Sequence, residues 1–511
     1  MSWKEKLSGL LGIVLLCFIC ERLGHASMHG MVWLIMVVPA VLTVWAGWWL
    51  ITRKQPPRIR TGGLVLISFF LPTPPAPSSA WTASAANKAP ICTWRWSPTK
   101  EQLYLAQLTP TRPPTTSGAA EGTLTSTATD WPGLRGLGRD GIVSGLTIST
   151  NWSAHPPRQL WRVRVGPGWS SPVAIGGRVF TQEQRGPNEV VACRNLIDGK
   201  ECWTHEDSVR FEEGMSGPGP RATPLFVDGK LFTLGATGVL NCLDAATGNL
   251  KWSADLAKEG VKPPIWGFSS SPVVTQGMVI VYAGGAKGLI AYRADSGKLA
   301  WYVPSGEQSY WPPQLMKIAG VEQVVFLRDH SAIAVDPLTG KQLWEEVISA
   351  PGAPRAIQPH AISDSQLLVS SETDLGTAVL EITNTSGTWA AKRKWVTRSL
   401  KPSFDDFVVL DGFDGAVFCC TNLSDGKRKW REGRYGHGQV LLLQDQKLLL
   451  VLGEEGEVML LRATPDKNDE LARFTAITGK TWNHPAIARG KLIVRNGEEM
   501  ACFDLDLLTT K

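Results

Sequence analysis

Residues 333–344 read IAVDPLTGKQLW, and paler copies of this dozen return along the chain. A small residue (Ala334) is followed two places on by an acidic one (Asp336), then by a glycine (Gly340) and, four residues later, by a tryptophan (Trp344). The same glycine-to-tryptophan step joins Gly199 to Trp203, Gly248 to Trp252, Gly297 to Trp301 and Gly426 to Trp430. Spacings of 35 to 51 residues between successive tryptophans, counting Trp395, are those of a propeller or solenoid.

The local chemistry selects the propeller. Asp336 accepts from backbone amides two residues on, Pro337 presets the first turn position, and Gly340 supplies a left-handed turn conformation. That predicts a tight hairpin between short aliphatic strands such as AIAV and QLW. Earlier in each repeat, runs such as SPVAIGGRVFTQ and TPLFVDGKLFTLG are broken by glycine where another hairpin should fall. Each repeat therefore carries four short antiparallel strands, and no helical periodicity persists over three turns after residue 130. Four-stranded sheets at this period belong radially around an axis.

The aromatic closing each fourth strand counts the blades. Trp203, Trp252, Trp301, Trp344, Trp395 and Trp430 close six, and Phe474 stands where a seventh is due. The chain stops three strands into an eighth blade, while RQLWRVRVG at 158–166, with Trp161, is a fourth strand with no blade before it. Joining them predicts an all-β, eight-bladed propeller over 150–508 whose first strand completes its last blade.

These motifs resemble the quinoprotein-type repeat, A-x-D-x-x-T-G-x-x-x-W, which Ala334 to Trp344 match at every specified position. The resemblance covers about 360 of the 511 residues, and DWPGLRGLGRDG at 130–141, within a leader over 130–149, resembles the segment preceding such propellers. It implies blade-docking roles for Trp161, Trp203, Trp252, Trp301, Trp344, Trp395 and Trp430. The family includes noncatalytic scaffolds such as the outer-membrane assembly lipoprotein, and dehydrogenases that oxidise an alcohol or sugar with pyrroloquinoline quinone (PQQ) and Ca²⁺. The scaffold reading implies no cofactor; PQQ and Ca²⁺ belong to the alternative. These repeats lack the long insertions with which the dehydrogenases build their sites, which favours the scaffold.

Cys193, Cys242, Cys420 and Cys502 share the slot that Ala291 and Ala334 fill elsewhere, so they read as small core residues. Cys193 and Cys202 flank one hairpin and are a candidate disulfide. The adjacent Cys419 and Cys420 resemble a quinoprotein disulfide pair but lie in the strand slot.

Three apolar stretches, 7–20, 31–51 and 62–72, predict membrane anchoring, with the second long enough to cross. Lys4 and Lys6, and Arg53, Lys54, Arg58 and Arg60, place the amino terminus and the 52–61 loop in the cytoplasm. A third crossing, or cleavage after SSA at 78–80, puts the propeller outside it, in the periplasm. Cys17 and Cys20 lack the small preceding residue of a lipid-anchor site. Residues 73–129, rich in Pro, Ser, Thr and Ala, read as a flexible tether. Seven cations and two acids in residues 1–60 supply +5 of the net +6. The propeller is thus near neutral, which excludes a nucleic-acid surface.

First strands open on a rim where ligands would meet a propeller. Trp169, Arg221, Tyr310 and Trp482 each stand three residues before a proline, and Trp266, Trp311, Phe268, Arg355, His360, Phe404, Tyr435, His437 and His484 lie at equivalent places. Such residues predict either a funnel that binds a peptide strand, a sugar or a flat cofactor, or a plug in which they pack against one another. No close histidine pair marks a metal site. Asp405 and Asp406 are the best acidic candidates for a calcium or base role.

Overall fold

The computed structural model describes residues 38–56, 98–108, 124–214, 216–305, 310, 312–328, 330–348, 357–371, 376–400, 408 and 418–508. The helix Val38–Thr52 belongs to one compact unit, and Lys100–Phe211 with Pro218 onward belongs to another. The expected crossing at 31–51 is described only from Val38 onward, in the helix Val38–Thr52, and residues 31–37 lie outside the described residues. No helix among the described residues is long and apolar enough to cross a membrane. Stretches 7–20 and 62–72, the SSA site, Cys17 and Cys20 lie outside the described residues.

The second unit is a ring of sheets. Blades 1 to 5 are four-stranded and run in sequence order, from Val173–Ile175 through Glu201–Asp207, Leu225–Val227 through Leu250–Asp255, Val273–Thr275 through Leu299–Val303, Gln314–Ile318 through Gln342–Val347 and His360–Ser363 through Thr388–Thr397. Blade 6 is described only in Cys419–Thr421 and Arg428–Arg431. Blade 7 runs from Gln439–Leu443 through Asp469–Thr475. Blade 8 consists of Ala486–Ala488, Lys491–Arg495 and Glu499–Asp504, completed by Arg158–Arg164 from the start of the propeller. The closing strand lies antiparallel to Glu499–Asp504, with Trp161 opposite Cys502.

One packing unit recurs around the ring. A β-bulge precedes the closing tryptophan: Cys193 pairs with Trp203 and Arg194 with Glu201, leaving Cys202 as the extra residue. The corresponding extra residues are Leu160, Lys251, Ala300, Leu343, Lys394 and Lys429. Bulges sharpen strand twist, here just where the indole must leave its own sheet. Directly opposite the tryptophans stand Cys193, Cys242, Ala291, Ala334, Val379, Cys420 and Cys502. The slot is small because an indole faces it across the pair. Cys193 and Cys202 are free thiols, so the candidate disulfide across that hairpin is not formed.

Five of the indoles then seat on the next blade. Trp161, Trp203, Trp252, Trp301 and Trp395 donate through Nε1 to the carbonyls of Leu196, Ala245, Ala294, Pro337 and Leu423, at 2.8 to 3.3 Å. Every acceptor lies three residues before the turn glycine of that blade. The glycine passes under the ring: a Cβ on Gly248 would stand 2.6 Å from Trp203, and one on Gly199 would stand 2.7 Å from Trp161. The repeat glycine therefore shapes its own turn and forms the floor of its neighbour's tryptophan seat. Where the next blade lacks that turn, the unit changes. Blade 5 replaces it with two ten-residue strands, and Trp344 donates instead to Gln323 of its own blade at 2.8 Å.

A segment before the first blade is also folded. Lys100–Leu105, within the stretch read as a tether, is a helix whose Tyr104 is buried and donates to Glu183 Oε1 of blade 1 at 2.8 Å. Burial pushes the Glu183 carboxyl up, but Arg185, Arg194 and Arg495 outweigh it and hold the group below the usual range. Glu101 adds an ion pair to Arg210 at 2.9 Å. The apolar Tyr104 face in KEQLYL, rather than overall composition, is what docks this short piece.

Candidate functional site: the leader and the channel rim

The leader DWPGLRGLGRDG is the hub of the ring. Trp131 pairs with Ala174 on the first strand of blade 1, and the Pro132 carbonyl accepts from Phe226 N on that of blade 2 at 2.8 Å. Ile142–Val143 runs parallel to the first strand of blade 7, with Ile142 opposite Leu442. Asp130, almost fully buried, pairs with Arg489 of blade 8 at 2.7 Å. The leader thus covers inner strand edges whose amides would otherwise lack partners.

Two arginines carry the leader inward. Arg135 and Arg139 have φ of 59° and 55°, left-handed values that are uncommon outside glycine. Arg139 donates from Nε to Gln314 Oε1 at 3.1 Å, from one terminal nitrogen to Pro272 O at 3.0 Å, and from the other to Ser271 O and Pro313 O. Arg135, fully buried, lies 2.9 Å from His360 Nε2 of blade 5. Glycines give these side chains room: a Cβ on Gly141 would meet Arg135 at 2.6 Å, and one on Gly136 would meet the Trp131 ring at 2.8 Å. A segment that touches blades 1, 2, 3, 4, 5, 7 and 8 crosses the axis. It closes the channel with two guanidiniums.

This bears on a quinone and calcium site. Among the described contacts, the leader's arginines meet the Gln314 amide, the His360 imidazole and backbone carbonyls, and Gln358 donates to Gln314 Oε1 at 3.2 Å. Burial without a carboxylate partner lowers the Arg139 pKa to about 10. Calcium takes six to eight oxygens, carboxylates prominent among them. Two buried guanidiniums repel such an ion, so the described axial groups do not fit it. No cluster of three or more His, Cys, Asp or Glu suited to a metal occurs among the described residues. Asp405, Asp406, Phe404, Trp311 and Arg355 lie outside the described residues.

The other expected rim residues form two groups and leave some members out. In the first, Trp169 of blade 1 stacks on Trp482 of blade 8 with centroids 4.9 Å apart, and His437 of blade 7 meets Trp482 edge-on at 6.5 Å. Lys480 Nζ sits 3.3 Å from the Trp482 ring centroid and 5.5 Å from that of Trp169. Glu454, buried, accepts from Trp482 Nε1 at 3.0 Å and from His437 N at 3.2 Å. The result is a half-exposed aromatic pair, capped by an ammonium and braced from beneath by a carboxylate. Its components suit an apolar or planar side chain.

The second group joins Trp266 and Tyr310, with ring centroids 4.8 Å apart. Arg221 lies 5.2 Å from the Phe211 ring and donates to the carbonyls of Trp266, Pro218 and Gly219. It therefore braces its loop as well as charging it. Tyr435 does not join either group. It is buried, 5.3 Å from Phe418, and its hydroxyl meets Asn468 and Glu470 of the outer strand region of blade 7. Phe268 is buried, and His360 points at the leader. Reading only starts of first strands missed Lys480 and Glu454, which arrive from the preceding loop and from the second-to-third strand turn. Arg135 and Arg139 were also missed. Their one sequence signal is a pair of arginines spaced among four leader glycines.

Comparison with known proteins agrees with the repeat. Residues 187–432 match the family model described as outer membrane protein assembly factor BamB. The chain is 24% identical over 315 residues to the BamB of Burkholderia pseudomallei (strain K96243), covering 57% of this chain and 75% of that one. It is 29% identical over 212 residues to the dehydrogenase subunit of the quinone alcohol dehydrogenase of Komagataeibacter europaeus, covering 38% of this chain and 27% of the relative. The propeller resembles the BamB structure from Moraxella catarrhalis at a TM-score of 0.51, with 14% identity, covering 68% of this chain and all of that one. It resembles the quinohemoprotein alcohol dehydrogenase from Comamonas testosteroni at 0.53, with 15% identity, covering 79% and 84%. At these identities the structural likeness shows the fold alone. The propeller is PQQ-like, similar to BamB and to quinoprotein dehydrogenases.

Proposed function

We propose that the chain is a noncatalytic scaffold of the cell envelope, membrane-tethered and extracytoplasmic, that holds a protein partner at its channel rim. The observation that carries this reading is the leader crossing the axis with Arg135 and Arg139, where a quinone and its calcium would need carboxylates and free space. The extent of the sequence similarity supports it as well: three quarters of the length of a BamB is covered, against about a quarter of a dehydrogenase subunit. The tether rests on the apolar stretches 7–20, 31–51 and 62–72 and on the cation distribution around them. The rim groups around Trp169 and Trp482 and around Trp266 and Tyr310 supply aromatic contact area at low conformational cost, as interface hot spots do.

The test places a photo-crosslinking residue at Trp169 of the full-length chain in native membranes, and at exposed Leu338 as a control. A discrete protein adduct from position 169 and none from 338 is the expected result. Equal labelling from both positions, or none from either, contradicts the reading. The dehydrogenase alternative keeps the same fold and is addressed by quinone binding.

A further inference from the structure

Among the described residues, blade 1 is the one place where the recurring hairpin carries sulfur on both sides. The slot opposite the tryptophan holds Cys193, and the bulge residue before Trp203 is Cys202. Elsewhere the bulge position before a tryptophan is Leu160, Lys251, Ala300, Leu343, Lys394 or Lys429. The extra residue of the bulge breaks strict alternation, and Cys202 packs beside the same apolar cluster of Val173, Ile175, Phe180 and Trp203 that contains Cys193. Cys193 is fully buried and Cys202 is half-buried, with its Sγ 3.8 Å from Lys200 O. Both thiols are free.

The hairpin that these residues bracket is the seat of the ring's closing strand. Leu196 O accepts the Trp161 indole N–H at 2.8 Å, and Gly199 lies beneath that ring. Trp161 belongs to the strand that completes blade 8 without a covalent hairpin to it. Its pairing with Glu499–Asp504 is the noncovalent seam of the ring.

We propose that Cys193 and Cys202 are a thiol–disulfide modification site that reacts with disulfide oxidants and fastens the hairpin on which the closing strand docks. Cys202 is the attacking sulfur. A hydrogen bond from Cys193 lowers its pKa to about 7, with Arg178 adding to the effect and burial, Asp198 and Glu201 opposing it. Burial holds the Cys193 thiol well up. The Cys202 thiolate attacks one sulfur of an external disulfide, whose S–S bond breaks and releases one thiolate, which takes a proton. Cys193 then loses its proton and attacks Cys202 Sγ, expelling the second thiolate. Protein dithiol is oxidised by two electrons as the external disulfide is reduced to two thiols.

The full-length chain is treated with glutathione disulfide near neutral pH, quenched, alkylated and mapped by peptide mass. A Cys193–Cys202 link that retains no glutathione is expected. Cys193→Ala, which places in blade 1 the alanine found in blades 3 and 4, should instead trap glutathione on Cys202. Cys202→Ala should take up none at either position. Amide exchange at Gly199 should slow several-fold on oxidation and recover with dithiothreitol. Quantitative alkylation of both thiols after treatment, or a persistent mixed disulfide in the unsubstituted chain, overturns the site. A link that leaves Gly199 exchange unchanged overturns its role at the seam.

Discussion

At the scale of single residues, the turn glycines and one buried carboxyl show how much one position decides. Gly248 and Gly277 have nearly the same φ, 78° and 74°, but a Cβ on Gly248 would strike Trp203 while one on Gly277 would meet nothing within 4 Å. Gly277→Ala should cost roughly 1–2 kcal/mol for the left-handed backbone alone. Gly248→Ala adds an overpacking term of about 1–3 kcal/mol, so urea unfolding should separate the two variants. Equal losses would deny the glycine its place in the tryptophan seat. Glu189 makes a pH prediction. Burial, with Asp207 adding and the Ala236 amide opposing, raises its carboxyl to about 8, and Oε2 has no hydrogen-bond partner among the described residues. The folded chain therefore holds a proton that the unfolded chain releases near its ordinary carboxyl range, so this residue makes stability fall as pH rises from about 4.5 to 8. Glu189→Gln should flatten that slope in melting curves recorded across the interval, and an unchanged slope would refute the assignment.

At the scale of elements, the leader does what its composition conceals. A glycine-rich run with two arginines reads as a solvated loop, yet left-handed backbone at Arg135 and Arg139 turns both side chains into the ring. Removing the Arg139 guanidinium leaves Gln314 Oε1 its bond from Gln358 and strands the carbonyls of Pro272, Ser271 and Pro313. Buried acceptors left without donors cost about 1–3 kcal/mol each where water does not reach them. Arg139→Met should thus lower the unfolding midpoint clearly while far-ultraviolet circular dichroism stays that of a β protein. A variant as stable as the parent would mean that the leader only rests on the ring. The short helix Lys100–Leu105 teaches the same lesson: composition averaged over 73–129 hides one tyrosine with a buried partner.

At the scale of the whole molecule, the repeat made the architecture legible and left the site mostly hidden. Trp161, Trp203, Trp252, Trp301, Trp344, Trp395 and Trp430 mark their blades at one position, and Trp161 shows that the first strand belongs to the last sheet. That works because one hairpin, one bulge and one indole seat recur, so each copy corroborates the others. The rim has no such redundancy. A proline three residues after Trp169 or Tyr310 marks where a first strand begins, which is backbone geometry. Which side chains meet depends on loops from neighbouring blades, and that is why Trp169 found Trp482 and Lys480 while Tyr435 turned into the core. The leader's crossing is a contact among seven sheets that no local window contains.

The claim on which the functional account turns is that the leader's guanidiniums occupy the axis, so that the propeller works through its face and not through a quinone within it. Titration of the full-length chain with PQQ and Ca²⁺, followed by the quinone absorption band and by alcohol-dependent reduction of an electron-accepting dye, tests this directly. The account predicts no saturable spectral change and no dye reduction. Stoichiometric quinone binding with alcohol-dependent turnover would contradict it.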